Sequence, residues 1–179
     1  MKINIGAGNK KFEGFLNCDY SNYFPQDYIF DLEKDKFPFK DNSITHVIAH
    51  HVLEHLGEGY FHCLKELYRV CKDGAIIFIK VPHYRHENFF HDPTHKRPIT
   101  KNGLTLFSKE FNTTNGSSAS KLGLMYDIDF KVIDYKEVLD RNHNMFNNLK
   151  NLTLNEILEF TKDKVNIIEE TIIYLQVIK

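Results

Sequence analysis

The chain has 179 residues, 42% of them hydrophobic and 26% charged, which is the length and composition of one folded domain, expected to span residues 1–179. Its 23 Lys and Arg balance 24 Asp and Glu for a net charge of -1, and this balance disfavours a dedicated nucleic-acid binder. The sequence has neither an apolar run of about 20 residues nor a signal-peptide core, so we expect a cytoplasmic protein that does not cross a membrane.

The first half of the chain alternates short apolar runs with loops, which predicts a mostly parallel sheet covered on both faces. Helical spacing of apolar residues from Gly59 to Cys71 predicts one clear helix, with Gly74 as its expected stop. The predicted strands are Lys2 to Ile5, Phe15 to Cys18, Tyr28 to Phe30, Thr45 to Ala49 and Ala75 to Val81.

The second half begins with a long loop, from Pro82 to Pro98, that is rich in histidine, proline and aromatic residues. Loops of this length in compact domains usually have a function. Asn112 to Ser120 has the composition of a surface turn, and Thr153 with Glu156 has the spacing of a helix capping box. The other predicted elements are a short helix near Thr100 to Phe107 and strands at Phe130 to Leu139 and Thr171 to Ile178.

A turn that contains two glycines follows the first predicted strand, at Gly6, Ala7 and Gly8. Glycines let the backbone approach a ligand closely, and the amides of such a turn face its polar groups. Asp19 ends the second strand 11 residues after Gly8, where nucleotide-binding α/β folds place an acid that binds ribose hydroxyls. Each feature alone is also typical of an ordinary turn, but together they predict a nucleotide-type cofactor site.

Three stretches in this order resemble the small class I S-adenosylmethionine (SAM)-dependent methyltransferases of the type 11 kind. They are NIGAGNKKFEGFLNCDYS, FDLEKDKFPFKDNSITHVIAHHVLEHL and LKELYRVCKDGAIIFIKVP, and with the DPTH of the long loop they cover about the first 100 residues. The resemblance implies a Rossmann-like α/β sheet of seven strands, mostly parallel, with the last strand antiparallel. Only nine residues, Gly6 to Gly14, join the first two strands, so the usual first helix is expected to be truncated.

The resemblance also implies SAM as the cofactor and a role for each matching residue. Glu54 and His55 match the Glu-His pair of the family, whose expected role is to orient the next helix. The implied cofactor-binding residues are Gly6, Ala7 and Gly8 for the methionine part, Asp19 for the ribose, Asp31 and Leu32 for the adenine, and His50 near the sulfonium.

Nine of the ten histidines lie between His46 and His95, which points to the acceptor side of the site. Methyl transfer depends on alignment, and a hydroxyl or protonated amine acceptor also benefits from a base in the titration range of histidine. We expect His51 and His91 to be catalytic, and His83, His95 and Arg97 to bind the substrate. The basic residues of this loop suit an anionic acceptor, so we expect methylation at the oxygen of a small molecule or a glycan unit.

Four other interpretations follow from the same residues. A metal site from His83, His86, His91 and His95 is disfavoured because Pro93 keeps His91 and His95 off one helical face, and the three cysteines are spaced as reduced, buried thiols, so we expect no metal. The chain also lacks the helix that usually precedes the first strand, which would leave apolar surface for a homo-oligomer. The alternatives to a methyltransferase are a degenerate SAM-binding module that supports a partner and a histidine-based metal-dependent hydrolase.

Overall fold

The computed structural model describes residues 1–114 and 119–179, and one sheet of seven strands connects them. The strands are β1 (Lys2–Ile5), β2 (Leu16–Asp19), β3 (Tyr28–Ile29), β4 (Ile44–His50), β5 (Cys71–Pro82), β6 (Phe130–Leu139) and β7 (Ile168–Val177). The helices are α1 (Tyr60–Val70), α2 (Glu87–His91), α3 (Lys101–Thr105), α4 (Lys109–Thr114), α5 (Leu122–Tyr126), α6 (Phe146–Leu149) and α7 (Leu154–Thr161).

The strand order is β3-β2-β1-β4-β5-β7-β6. The first five strands pair in parallel, and β7 is antiparallel to both of its neighbours, β5 and β6. The segment between β1 and β2 forms turns in place of a helix. This architecture confirms the predicted Rossmann-like α/β sheet with a truncated first helix and an antiparallel last strand.

One face of the sheet is packed and the other is partly exposed. Alternate residues of the central strands are buried against α1 and α3; they include Ile3, Ile5, Val47, Ala49, Ile77, Ile79, Ile173 and Leu175. On the opposite face Ile48, Phe78 and Tyr174 lie side by side in register and stay partly exposed. The second face is thus covered less completely than the first, because the connections that join β1 to β4 consist of turns and supply no helix.

Two predicted boundaries differ from the structure. Helix α1 ends at Val70, because Cys71 is already extended (φ -74°, ψ 143°), so Gly74 is not the helix stop. Gly74 (φ 73°) instead lies inside β5, where the pairing with β4 is irregular and a left-handed residue is needed. The predicted surface turn at Asn112 to Ser120 is also revised: Asn112 is buried in α4, and residues 115–118 lie outside the described residues.

Helices α6 and α7, which lie between β6 and β7 in the chain, form a second and smaller apolar cluster. It contains Leu139, Leu149, Ile157, Ile167 and Ile168. The predicted capping box at the start of α7 is confirmed, since Thr153 N–H donates to Glu156 Oε2 at 2.8 Å and Glu156 N–H donates to Thr153 Oγ1. Among the described residues, every helix is too short or too polar to cross a membrane.

Candidate functional site

A cavity of about 560 Å³ opens where β1, β2 and β4 end, at the carboxyl edge of the sheet. This volume is typical of small-molecule sites, and ligands of open α/β sheets bind at that edge. The predicted residues that line the cavity are Gly6, Asp19, Asp31, Leu32 and His51. Seven further residues line the cavity without having been predicted as cofactor-binding, and they are Tyr20, Glu33, Val52, His55, Leu56, Thr94 and Lys96.

The carboxylate of Asp19 holds the glycine turn in place. Gly6 and Gly8 both have positive φ, at 58° and 51°, which glycine adopts without strain. Gly8 N–H donates to Asp19 Oδ2 at 2.9 Å, and Ser21 N–H donates to Oδ1 at 3.0 Å. Asp19 is only 8% exposed, yet its side chain lines the cavity. The same carboxylate therefore orders the turn and faces the ligand space.

The segment after β3 lines the opposite part of the cavity. Asp31 Oδ1 accepts the N–H of Glu33 at 2.8 Å, and this bond lowers the pKa of the Asp31 carboxyl. Leu32 is buried and gives the cavity an apolar wall. Glu33 Oε1 accepts the N–H groups of Gly57 and Gly59, so it ties this segment to the loop that precedes α1.

His50 does not line the cavity, although it directly precedes His51 at the end of β4. Its Nε2 lies 2.9 Å from Lys10 Nζ. Burial, with the positive charges of His51 and Lys10, lowers the pKa of His50 to about 4. His50 is therefore neutral at pH 7 and supports the turn after β1 from the side.

His51 lies between two carboxylates. Its Nε2 is 2.9 Å from Glu170 Oε1, and its Nδ1 is 3.3 Å from Glu54 Oε1. Burial lowers the pKa of His51, but Glu170 and Glu54 outweigh this effect and raise it to about 9. Both ring nitrogens face acceptors, so neither is available to take a proton from a substrate. The expected role of His51 as a base does not fit this arrangement, which instead suits a positioning group.

The predicted acceptor residues of the long loop do not meet at one point. His83 is buried at the end of β5, and His91 is exposed at the end of α2. Arg97 donates to the carbonyls of Leu56 and Gly57, and its guanidinium lies 4.5 Å from the Tyr60 ring centroid. Its donors are thus engaged by the protein, and Arg97 anchors the loop.

The four-histidine metal site is not assembled in the part of the chain that the structure describes. His86 Nδ1 accepts the N–H of Asn88 and caps α2, while its Nε2 is 3.5 Å from Asp140. His95 donates through Nδ1 to the carbonyl of Phe89 at 2.7 Å. The rings of His86 and His95 therefore serve separate local contacts.

A second cavity, of about 190 Å³, lies at the same sheet edge beside the end of β5. Its charged and polar lining includes His83, Arg85, Tyr135, Glu137, Lys162 and Lys164. Glu137 accepts hydrogen bonds from Tyr135 and, at 2.8 Å, from Thr171 Oγ1. Burial raises the pKa of the Glu137 carboxyl to about 7.

We expect the contribution of Glu137 to stability to fall as the pH rises from about 4.5 to about 7, because its buried carboxyl must ionise in the folded protein. A folded-state pKa of about 7 against the usual 4.5 corresponds to about 3 kcal/mol, present at low pH and lost as the pH rises through 7. Glu137→Gln should remove this contribution, so its stability relative to wild type should rise by about 3 kcal/mol between pH 5 and pH 9, while the titration of His51 is common to both proteins. Urea unfolding at pH 5 and at pH 9 measures the stability of wild type and variant, and the exposed Glu13→Gln is the control. Equal pH dependence in wild type and Glu137→Gln would contradict the assignment.

Comparison with known proteins extends these observations. Residues 14–79 match the family model of the methyltransferase domain. A SAM-dependent methyltransferase from Archaeoglobus fulgidus has a similar structure, with a TM-score of 0.60 at 19% identity over 98% of this chain and 85% of that one. A methyltransferase from Thermotoga maritima, described as a possible histamine N-methyltransferase, has a TM-score of 0.59 at 13% identity, over 99% of this chain and 82% of that one.

A third similar structure is the complex between the Haloferax volcanii Trm112 methyltransferase activator and a putative methyltransferase, with a TM-score of 0.55 at 14% identity over 99% of this chain and 82% of that one. The comparison with curated proteins found no match. The family match includes Asp19, Asp31 and His51 and, with these folds, indicates SAM as the cofactor. The chain thus has the fold of the class I SAM-dependent methyltransferases, and its residues 14–79 match the methyltransferase domain model.

Proposed function

We propose that the chain transfers a methyl group from SAM to an oxygen of a small-molecule or glycan acceptor. The observation that supports this proposal is that one cavity is lined by a residue from the end of each of four successive strands. These residues are Gly6, Asp19, Asp31 and His51. The cofactor would lie across these ends, with its ribose on Asp19 and its adenine beside Asp31 and the apolar wall.

Within this proposal the turn after β1 holds the methionine part of the cofactor. Gly6 lines the cavity, while Ala7 and Gly8 form the turn behind it, which Asp19 and the neighbouring His50 support. Both N–H groups of His51 face carboxylates, so His51 would act as a positioning group whose fixed ring forms part of the cavity wall beside the cofactor or the acceptor. In-line methyl transfer depends on such alignment.

The second cavity supports an anionic acceptor. Arg85, Lys162 and Lys164 line it, and guanidinium and ammonium groups bind phosphate and carboxylate. His83 lies in its wall, and the exposed His91 stays the proposed base on the same loop. His95 and Arg97 would act on the acceptor indirectly, because their side chains donate to backbone carbonyls and hold the long loop in place.

Label transfer from isotopically labelled SAM tests this function. Hydroxyl compounds should be offered in pairs that differ only by a phosphate or carboxylate, and we expect label at oxygen in the anionic member. Lys162→Ala should raise KM for that acceptor about 10-fold, as loss of one charge-assisted contact would. The exposed Lys72→Ala is the matched control. Label in neutral and anionic members alike would contradict the proposed acceptor class.

The exposed sheet face favours a second candidate, a SAM-binding module that pairs with a second copy or another partner. Ile48, Phe78 and Tyr174 form an apolar row that is in register across three strands and stays partly exposed. Sedimentation at several concentrations should reveal self-association in the wild type and its loss in Phe78→Lys. A monomer at every concentration would exclude pairing through this face.

A further inference from the structure

Three side chains of metal-ligand type meet beside the cofactor cavity. Glu54 and His55 belong to the 3-10 turn Leu53–His55 after β4, and His95 comes from the long loop. One ligand atom from each lies within 4.8 Å of the other two. We propose that this three-residue cluster binds a divalent transition-metal cation, with zinc as the first choice. The proposal stands apart from methyl transfer, and of the four loop histidines considered above it uses one, His95.

Glu54 is the first reason for the proposal. The residue is 0% exposed, and neither carboxylate oxygen has a hydrogen bond to the described residues. His51 Nδ1 lies 3.3 Å from Glu54 Oε1. This ion pair involves one of the two buried carboxylate oxygens of Glu54. A buried carboxylate is costly unless its lone pairs are satisfied. A cation beside the histidines would satisfy the remaining oxygen.

The hydrogen bond of His95 uses Nδ1 and leaves Nε2 for a metal, with Asp92 Oδ2 4.0 Å from Nε2, beyond hydrogen-bond distance. Its Nδ1 lies 2.7 Å from the carbonyl oxygen of Phe89, which only accepts, so Nδ1 carries the proton. In the neutral ring Nε2 then has the lone pair. Metal-binding histidines commonly have such a backbone partner on the second nitrogen.

A chain of hydrogen bonds gives His55 the same tautomer. Thr94 Oγ1 donates its single proton to Asp92 Oδ1 at 2.6 Å, because a carboxylate has no proton to return. Oγ1 therefore accepts from His55 Nδ1, which lies 2.8 Å away. The lone pair of His55 is left on Nε2. The Asp92–Thr94 pair thus acts as the outer shell of the cluster.

Two imidazole nitrogens and one carboxylate are a common ligand set for zinc that keeps a coordination position open. Ligand bonds of about 2.1 Å place ligand atoms about 3.4 Å apart, so the cluster would contract by rotation of the histidine side chains. His55 and Thr94 also line the cofactor cavity, so the open position would be accessible from it. The cation would clamp the long loop to the end of β4, where Glu54 O already accepts the N–H of Lys96 at 2.7 Å.

Zinc titration of the chelator-treated full chain, followed by calorimetry, tests the proposal without SAM or an acceptor. We expect one equivalent of zinc in the wild type and at least 10-fold weaker binding in His95→Ala and Glu54→Gln. Thr94→Val keeps all three ligands but removes the outer-shell hydroxyl, and it should weaken binding about 10-fold or more. Circular dichroism of each metal-free variant checks that it is folded.

His91→Ala is the matched control, because His91 is exposed on the same loop, outside the cluster. Its zinc affinity should stay within twofold of wild type. Absence of zinc binding in the wild type would overturn the proposal. So would unchanged affinity in folded His95→Ala and Thr94→Val, or an equal loss in His91→Ala, which would indicate adventitious binding to surface histidines.

Discussion

Changing Asp19 to alanine should weaken the binding of SAM and S-adenosylhomocysteine about 10- to 150-fold. The variant loses a charge-assisted contact to the proposed ribose, worth about 1.5 to 3 kcal/mol. It also releases the N–H of Gly8, which the carboxylate holds at 2.9 Å. Calorimetry with both ligands measures the effect.

Asp27→Ala is the matched control for this experiment. Asp27 Oδ2 accepts the N–H of Asn17 at 2.7 Å, so it also binds backbone next to β2, but it does not line the cavity. Its removal should leave ligand affinity within about twofold, a difference of about 0.4 kcal/mol. Equal affinity in Asp19→Ala and wild type would refute the proposed cofactor pose, and no heat with either ligand at millimolar concentration would argue against cofactor binding itself.

Gly6→Ala should destabilise the fold by about 2 to 5 kcal/mol, since it combines backbone strain with overpacking. Gly6 has φ 58°, and an added Cβ would lie 2.2 Å from Val52 Cγ2. Val52 lines the cavity, so its displacement should weaken SAM binding as well. Urea unfolding gives the stability, and calorimetry gives the affinity.

Gly8→Ala separates the two causes. Gly8 has φ 51°, but an added Cβ there would meet nothing within 4 Å. The expected loss is therefore the backbone strain alone, about 1 to 2 kcal/mol. If both variants lost the same stability, the contact between Gly6 and Val52 would not be limiting.

The strand ends of the candidate site could be predicted because their signals are local. The turn at Gly6 to Gly8 and the acid Asp19 lie within 14 residues of one another, and each marks the end of a short apolar run. Backbone geometry then places both at one edge of a parallel sheet. The antiparallel last strand was predicted from the family resemblance, because the sequence of β7 does not indicate whether it runs parallel or antiparallel to its neighbours.

The surroundings of His51 could not be predicted in this way. Glu170 is 119 positions away in the chain, and it reaches the ring because Glu170 in β7 pairs with Pro82 at the end of β5. Burial of Glu54 depends on how the turn after β4 packs under the long loop. The exposed sheet face was likewise missed, because alternation of apolar residues indicates a strand but does not show which helix covers it.

The position of β7 affects how the chain folds as it leaves the ribosome. It is synthesised after all the other strands, yet it lies between β5 and β6 and pairs with Ile76–Pro82 of β5. Until β7 emerges, β5 has an unpaired edge while the ribosome makes everything from His83 to Ile167. An open edge that pairs readily with other strands is a site of aggregation and of chaperone capture. Stalled or truncated nascent chains that lack β7 should therefore be the aggregation-prone species in the cell.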